Sequence, residues 1–221
     1  MQAHTRIYTL DNLRAIAIIT MVIYHVLFDL NLFGLINLNL DKPPITFLVI
    51  IFGVLFVTLA GITSALSHKL FKQSLKLLVF ALLISITTYF FDKHTYVRFG
   101  ILHLLAVLTF ILYLTKHKYL LLISLVFPIL INYFYPNMMS IILGFPPTNF
   151  TSLDYYPIFP WAIPFGLGYI LSKPIIQLAK SSSINFHIPI IFLIGKHSLI
   201  IYLIHQPIIF TIVFLCSKIA P

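Results

Sequence analysis

Seven apolar runs of bilayer-spanning length constrain the fold of this chain more than any other feature. They cover residues 11–33, 45–66, 72–91, 98–115, 119–135, 158–177 and 194–217. Each run is about 17 to 25 residues long, the length that an α-helix needs to cross the hydrocarbon core of a bilayer. No alternating strand pattern is present, and lipid requires every backbone polar group to be paired internally. The sequence therefore predicts an all-α, polytopic integral membrane protein with about seven transmembrane helices.

Composition excludes several classes of protein. The chain is 60% hydrophobic and 9% charged, whereas a soluble globular protein has about a quarter of its residues charged. The loops are too short to bury a core of their own, so residues 1–221 are predicted to form a single transmembrane domain. The net charge of +9 lies in short clusters between apolar runs rather than on one basic element, so nucleic acid is not an expected partner. Cys216 is the one cysteine, and no metal site is predicted.

The Lys and Arg residues predict the orientation, because cytoplasmic connections carry the excess of positive charge. Of the 14 Lys and Arg residues, ten lie on the inner side if the N-terminus is cytoplasmic and four on the outer side. The inner ones are Arg6, Arg14, Lys69, Lys72, Lys76, Lys116, Lys118, Lys173, Lys180 and Lys196; the outer ones are Lys42, Lys93, Arg98 and Lys218. This bias predicts a cytoplasmic N-terminus and an external C-terminus.

The first apolar run carries four ionisable residues on one helical face. Asp11, Arg14, His25 and Asp29 fall within an arc of roughly 60° at 100° per residue. Charged groups are costly in lipid, so this face is expected to point into protein or water. One interpretation is structural, with Asp11 pairing with Arg14 and His25 with Asp29 one turn apart. The other is a functional site, in which Asp29 orients His25 and stabilises its imidazolium.

Two more histidines are candidates for the same site. His205 lies roughly 14 Å beyond Lys196 along the last run, and His25 lies roughly 16 Å beyond Arg14, so the two imidazoles are predicted at similar depth. His103 follows Arg98 near the outer end of the fourth run. Two interpretations of His103 fit the sequence equally well: a cluster with His25 and Asp29, or charge pairing between neighbouring helix ends.

The sixth run starts with the sequence DYYPIFPWAIPFGLG, which contains Asp154 and Trp161. Its prolines interrupt regular helical hydrogen bonding. In one interpretation, the sixth run is a broken helix that lines a cavity with Arg98. In the other, Trp161 anchors the helix at the membrane interface. Because the chain contains no Glu, any general base has to be a His or one of the five Asp residues.

Five segments of the chain resemble one known family. LDNLRAIAIITMVIYHVLFDL is similar to the first core helix of the heparan-alpha-glucosaminide N-acetyltransferase catalytic-domain family, part of a wider group of membrane acyltransferases. FVTLAGITSALS, VRFGILHLLAV, DYYPIFPWAIPFGLG and IGKHSLIIYLIHQPII resemble its later core helices in the same order. In the lysosomal member the catalytic histidine follows the first core helix, and residues 31–45 here contain no histidine.

The resemblance implies a membrane enzyme that moves an acetyl or other acyl group from cytoplasmic acyl-CoA to an acceptor reached from the opposite side. His25 would deprotonate the acceptor or carry the acyl group, with Asp29 orienting it and with His205 and His103 as further candidates. Coenzyme A is strongly anionic, and Arg14, paired with Asp11, would bind it together with Lys69, Lys72 and Lys76.

The expected surroundings are the lipid bilayer of a bacterial cytoplasmic membrane, with acetyl-CoA as co-substrate. The acceptor would be an amine or hydroxyl of an envelope glycan, a lipid or a small molecule, and a homodimer is left open. Two other classes also fit the residues. A transporter would line its path with the same histidines without consuming coenzyme A. A non-catalytic assembly partner would be insensitive to His25→Ala.

Overall fold

A computed structural model describes residues 7–40, 42–115, 140–180 and 188–219, with the single positions 126, 129, 130 and 133. These ranges contain nine helices. They are α1 (Tyr8–Leu32), α2 (Ile45–Ser64), α3 (Leu70–Phe91), α4 (Ile101–Thr115), α5 (Ser140–Leu143), α6 (Ile158–Ile170), α7 (Ser172–Ala179), α8 (Pro189–Lys196) and α9 (Ser198–Ile219). No β-strand occurs in the described ranges, where one isolated bridge joins Phe99 and Tyr155. The all-α prediction is confirmed for this part of the chain.

Four of the described helices are long and apolar enough to cross a bilayer, namely α1, α2, α3 and α9. The number rises to five if α6 and α7 form one broken span. Helix α4 is apolar, and its 15 described residues are fewer than a span needs. The predicted run 119–135 lies almost wholly outside the described residues, as do Arg6, Lys116 and Lys118. Seven spans and the orientation of the termini therefore stay predictions.

The sixth apolar run is broken, as its prolines indicate. Helix α6 begins directly after Pro157, contains Pro164, and has a non-helical backbone at Phe159. Proline lacks an N–H donor and its ring clashes with the preceding turn, so a continuous helix is disfavoured there. The helix ends at Ile170, and α7 starts at Ser172.

Packing groups the chain into two compact units. The first consists of Met1–Leu59 and Lys173–Pro221, and the second of Ala60–Ser172. Within the first unit α1 packs along both α8 and α9. Within the second unit α4 packs against α3 and α6, and Leu104, Leu108 and Leu112 are fully buried. A helix that is apolar on every side belongs in the interior of its unit, which is where α4 lies.

Gly195 fixes the close approach of α8 to α1. A Cβ atom at Gly195 would collide with the backbone carbonyl of Asp11. We expect Gly195→Ala to lower the free energy of unfolding by about 1–2 kcal/mol, because overpacking forces the two backbones apart. The measurement is reversible unfolding of the detergent-solubilised chain, monitored by circular dichroism.

The sign of that change is diagnostic. Without the collision, Gly→Ala in a helix raises stability by up to about 1 kcal/mol, so a more stable variant would contradict the close packing. Ile190→Ala is the matched control, because Ile190 lies on α8 with 73% of its surface exposed. Its effect is expected to stay within about 0.5 kcal/mol.

Candidate functional site

Two histidines from distant parts of the sequence meet in the first unit. His25 lies on α1 and His205 on α9, and their ring centroids are 4.9 Å apart. The two helices pack against each other. The sequence predicts that the two imidazoles lie at similar depth, and their rings are in contact.

The hydrogen bonding of His205 defines its tautomer. Its Nδ1 lies 2.8 Å from the carbonyl oxygen of Tyr202. A carbonyl oxygen can only accept, so Nδ1 carries the proton and donates it. In the neutral ring Nε2 then holds the lone pair, and this atom is buried without a hydrogen-bond partner among the described residues. His205 therefore offers a basic nitrogen that no described protein group occupies.

His25 is similarly unoccupied, which differs from the predicted pairing with Asp29. Within the described part of the chain its Nδ1 is buried without a partner, and its ring contacts Tyr24 at 5.7 Å and His205. The fully buried carboxylate of Asp29 instead accepts from Nε2 of Gln206, at 3.1 and 3.2 Å. The longer Gln206 side chain reaches both oxygens from α9, so it takes the place predicted for His25.

Gln206 is the site residue that sequence reasoning missed. Its amide is uncharged, so a search for ionisable groups passes over it. One property of the sequence could have indicated Gln206. A polar side chain in an apolar run costs free energy unless it has a hydrogen-bond partner, and this holds for Gln206 as well as for His205. Its Oε1 atom is also buried and unpartnered within the described residues.

The pair and its neighbour thus present three buried atoms that make no hydrogen bond to the described protein. They are Nδ1 of His25, Nε2 of His205 and Oε1 of Gln206. Leaving such an atom without any partner costs about 1–3 kcal/mol. Buried polar atoms of this kind call for an explanation, such as a catalytic role or a bound water or ion. In chemical terms, the two imidazoles can accept a proton or attack an electrophile.

Asp11 and Arg14 form the ion pair that their spacing predicts. Nη1 of Arg14 lies 2.9 Å from Oδ1 of Asp11, one turn apart near the N-terminal end of α1. The Asp11 side chain is nearly buried and the Arg14 side chain is 24% exposed. The pair therefore joins one nearly buried and one partly exposed side chain at the start of α1.

Two of the three predicted cofactor-binding lysines line a cavity in the second unit. The cavity has a volume of about 490 Å³, and Lys69 and Lys72 lie at its edge with His68. Phe71 and Tyr113 also line it, with their ring centroids 5.4 Å apart. Lys76 is not among the lining residues; its ammonium lies over the ring of Phe80 at 5.9 Å.

His103 is fully bonded, in contrast to the other two histidines. Its Nδ1 accepts from the Gly100 backbone N–H at 3.2 Å, so its Nε2 carries the proton and donates to Ser85 Oγ at 3.2 Å. Ser85 donates in turn to the carbonyl of Val97 at 2.6 Å. The ring thus ties α3 to the start of α4. This bonding favours the structural interpretation of His103 over a role as base.

The remaining predicted residues organise the loops of the second unit. Asp154 accepts from the Ile101 N–H at 3.0 Å and so satisfies the first turn of α4. Arg98 lies between the rings of Tyr96 and Phe150, each 5.1 Å away. Trp161 packs on Tyr156 at 4.5 Å. These contacts give each residue a structural role.

Two titratable groups in the same loops have altered acidity. The Thr95 hydroxyl and the His94 backbone N–H donate to the Asp92 carboxylate and hold its pKa below the usual value. Burial raises the pKa of Tyr155 to about 12, and its hydroxyl donates to the Ile141 carbonyl at 2.7 Å. Both interactions tie loop segments to neighbouring elements.

Comparison with known families matches nearly the whole chain. The model described as "Heparan-alpha-glucosaminide N-acetyltransferase, catalytic" matches residues 6–207. The chain belongs to this family. Heparan-alpha-glucosaminide N-acetyltransferase catalytic domains are transferases, and the apolar helices place this member in a membrane. The matched range contains both histidines, Asp29 and Gln206.

The other comparisons add no second family to this assignment. Neither the comparison with curated proteins nor that with solved structures gives a significant match. Within the described residues, no group of three or more His, Cys, Asp or Glu side chains is placed to hold a metal ion.

Proposed function

We propose that the protein is a membrane acyltransferase that moves an acetyl or other acyl group from cytoplasmic acyl-CoA to an amine or hydroxyl. The acceptor would belong to an envelope glycan, a lipid or a small molecule at a bacterial cytoplasmic membrane. One observation carries the proposal: in a chain of an acetyltransferase family, the His25 and His205 rings are in contact, and each has a buried nitrogen without a partner among the described residues.

The reaction needs a base and a path for one proton. The acceptor N–H or O–H gives its proton to Nε2 of His205, and the acceptor atom attacks the thioester carbonyl carbon. The C–S bond breaks, and the coenzyme A thiolate leaves and takes up a proton to become the free thiol. The adjacent His25 ring supplies a second nitrogen, either for the same proton or for transient attachment of the acyl group.

The cavity beside α3 is the proposed site for the nucleotide end of the donor. Lys69 and Lys72 would neutralise phosphate oxygens, and Phe71 and Tyr113 present ring faces for adenine.

Labelled acetyl-CoA tests the proposal directly. The full chain is reconstituted in nanodiscs, and acetyl-CoA carrying label in the acetyl group is supplied. The double variant Lys69→Ala/Lys72→Ala is expected to weaken acetyl-CoA binding about 5- to 30-fold, because two partly solvated charge contacts contribute about 1–2 kcal/mol together. The weakening should diminish at high salt, where screening already reduces the wild-type affinity.

Lys93→Ala is the matched control, since Lys93 is an exposed lysine in another loop. Its affinity should equal that of the wild type. A folded sample that binds no acetyl-CoA at millimolar concentration contradicts acyl transfer. Solute flux through proteoliposomes under those conditions would support the transporter alternative instead.

A further inference from the structure

Helix α7 exposes apolar and basic side chains within two turns. From Lys173 onward it belongs to the first unit. The side chain of Leu178 leaves 64% of its surface uncovered. The backbone N–H of Lys180 donates to the Ile176 carbonyl at 3.0 Å, so the helical geometry continues to Lys180. The exposed polar side chains of this segment are Lys173, Gln177 and Lys180.

These side chains divide α7 into three sides. At 100° per residue the polar row of Lys173, Gln177 and Lys180 falls within roughly 60°, centred roughly 130° around the helix from Leu178. Ala179 lies on the third side and is buried. A helix that packs one side on protein and exposes both an apolar and a basic side is suited to the boundary between lipid and water.

Contacts with α1 place two lysine-bearing segments at the same level. The Thr9 hydroxyl in the first turn of α1 donates to the Ala179 carbonyl at 3.4 Å. Gly195, which precedes Lys196 at the end of α8, packs closely on the backbone of Asp11. The 25 residues of α1 extend about 38 Å, which exceeds the hydrocarbon core of about 30 Å. The first turn of α1, with both segments, is therefore expected at the depth of the lipid headgroups.

The lysines at this level carry unbalanced positive charge. Lys173, Lys180 and Lys196 are exposed and form no ion pair with any of the described residues. The nearby carboxylate of Asp11 is paired with Arg14 at 2.9 Å. Residues 155–221 contain no Asp or Glu at all. This surface therefore attracts anions through three separate ammonium groups.

From this arrangement we infer that α7 lies in the membrane interface and that Lys173, Lys180 and Lys196 bind the phosphate groups of anionic phospholipids. Leu178 enters the region of the acyl chains, while the ammonium groups donate to phosphate oxygens at the headgroups. A lipid with net negative charge is favoured because basic residues near the membrane surface are attracted to it. This inference does not depend on the acyl-transfer reaction.

Native mass spectrometry of the full chain tests the lipid preference. The protein in detergent micelles is titrated with dioleoyl phosphatidylglycerol, and dioleoyl phosphatidylcholine with the same acyl chains is the neutral comparison. We expect the first phosphatidylglycerol to bind at least about 5-fold more tightly than phosphatidylcholine, the scale of one lysine near an anionic lipid. Lys173→Gln/Lys180→Gln/Lys196→Gln should lose this preference. Lys173→Arg/Lys180→Arg/Lys196→Arg should retain it, because the positive charges stay.

Lys42→Gln/Lys93→Gln/Lys218→Gln is the matched control. It removes the same number of positive charges from exposed lysines in other segments, and it should keep the preference. Circular dichroism establishes that each variant is folded. Equal affinity of the wild type for the two lipids overturns the inference and leaves the three lysines for an acidic protein partner. Equal losses in the two glutamine variants also overturn it, because net charge alone would then explain the preference.

Spin labels test the orientation of α7 in bilayers that contain phosphatidylglycerol. A nitroxide is attached at Leu178→Cys or at Gln177→Cys, each in a Cys216→Ser background because Cys216 is the one natural cysteine. We expect oxygen, which concentrates among the acyl chains, to relax the label at position 178 more strongly than a water-soluble nickel chelate does. The order should be reversed at position 177. The same order at both positions would contradict the interfacial placement.

Discussion

Replacing His205 by alanine is expected to slow acetyl transfer by about 10²- to 10⁴-fold, the usual contribution of a general acid or base. The physical reason is that Nε2 of His205 holds a lone pair that no described protein group occupies, while Nδ1–H is committed to the Tyr202 carbonyl. His25→Ala should cause a loss in the same range, because the two rings are in contact. The measurement is kcat with saturating acetyl-CoA and acceptor.

Comparing kcat with acetyl-CoA affinity distinguishes a catalytic role of the histidines from a role in binding. Affinity for acetyl-CoA should change less than about 3-fold in either variant, since the loss lies in the transition state. His197→Ala is the matched control, because His197 is an exposed histidine at the junction of α8 and α9. It should retain full turnover. Full turnover in a folded His205→Ala sample would remove the pair from the mechanism.

Replacing Gln206 by leucine is expected to lower the free energy of unfolding by about 3 kcal/mol. The Asp29 carboxylate is fully buried, and the Gln206 amide is its hydrogen-bond donor at 3.1 and 3.2 Å. Leucine has nearly the same volume but no donor, so the carboxylate would stay buried without its partner, which costs about 1–3 kcal/mol and more for a charged group. Reversible unfolding in mixed micelles measures the change.

A double-mutant cycle separates the hydrogen bond from packing. In Asp29→Leu/Gln206→Leu both polar groups are gone, so most of the lost stability should return. Asp29→Asn keeps the size of the side chain and an oxygen that Gln206 can donate to, and it should cost less than Gln206→Leu. Additive losses in the double variant would show that the two side chains stabilise the fold independently.

The Asp29–Gln206 contact also bears on catalysis. Gln206 is next to His205 in the sequence, and Asp29 is one helical turn from His25. Their hydrogen bond therefore holds α1 and α9 together where the imidazoles meet. Asp29 is therefore a positioning residue. This differs from the sequence prediction, in which its carboxylate contacts His25 directly.

Hydropathy and side-chain periodicity by themselves determined several features of this protein. Long apolar runs can satisfy their backbone in lipid as helices, so the helical class and the positions of α1, α2, α3 and α9 followed from the sequence. The Asp11–Arg14 pair followed from a three-residue spacing on one helix. Helical rise placed His25 and His205 at similar depth, and the proline spacing indicated the break in the sixth run.

Only the tertiary structure decided which side chains are partners. Asp29 is one turn from His25 in the sequence, yet it bonds to Gln206, which is 177 residues away. His103 resembles His25 as a polar residue in an apolar run, but Gly100 and Ser85 occupy both of its nitrogens. Lys69, Lys72 and Lys76 look equivalent in one basic cluster, and only the first two line the cavity. Periodicity fixes the face and depth of a residue on its own helix, whereas a hydrogen bond depends on the rotation and spacing of two helices, which long-range packing sets.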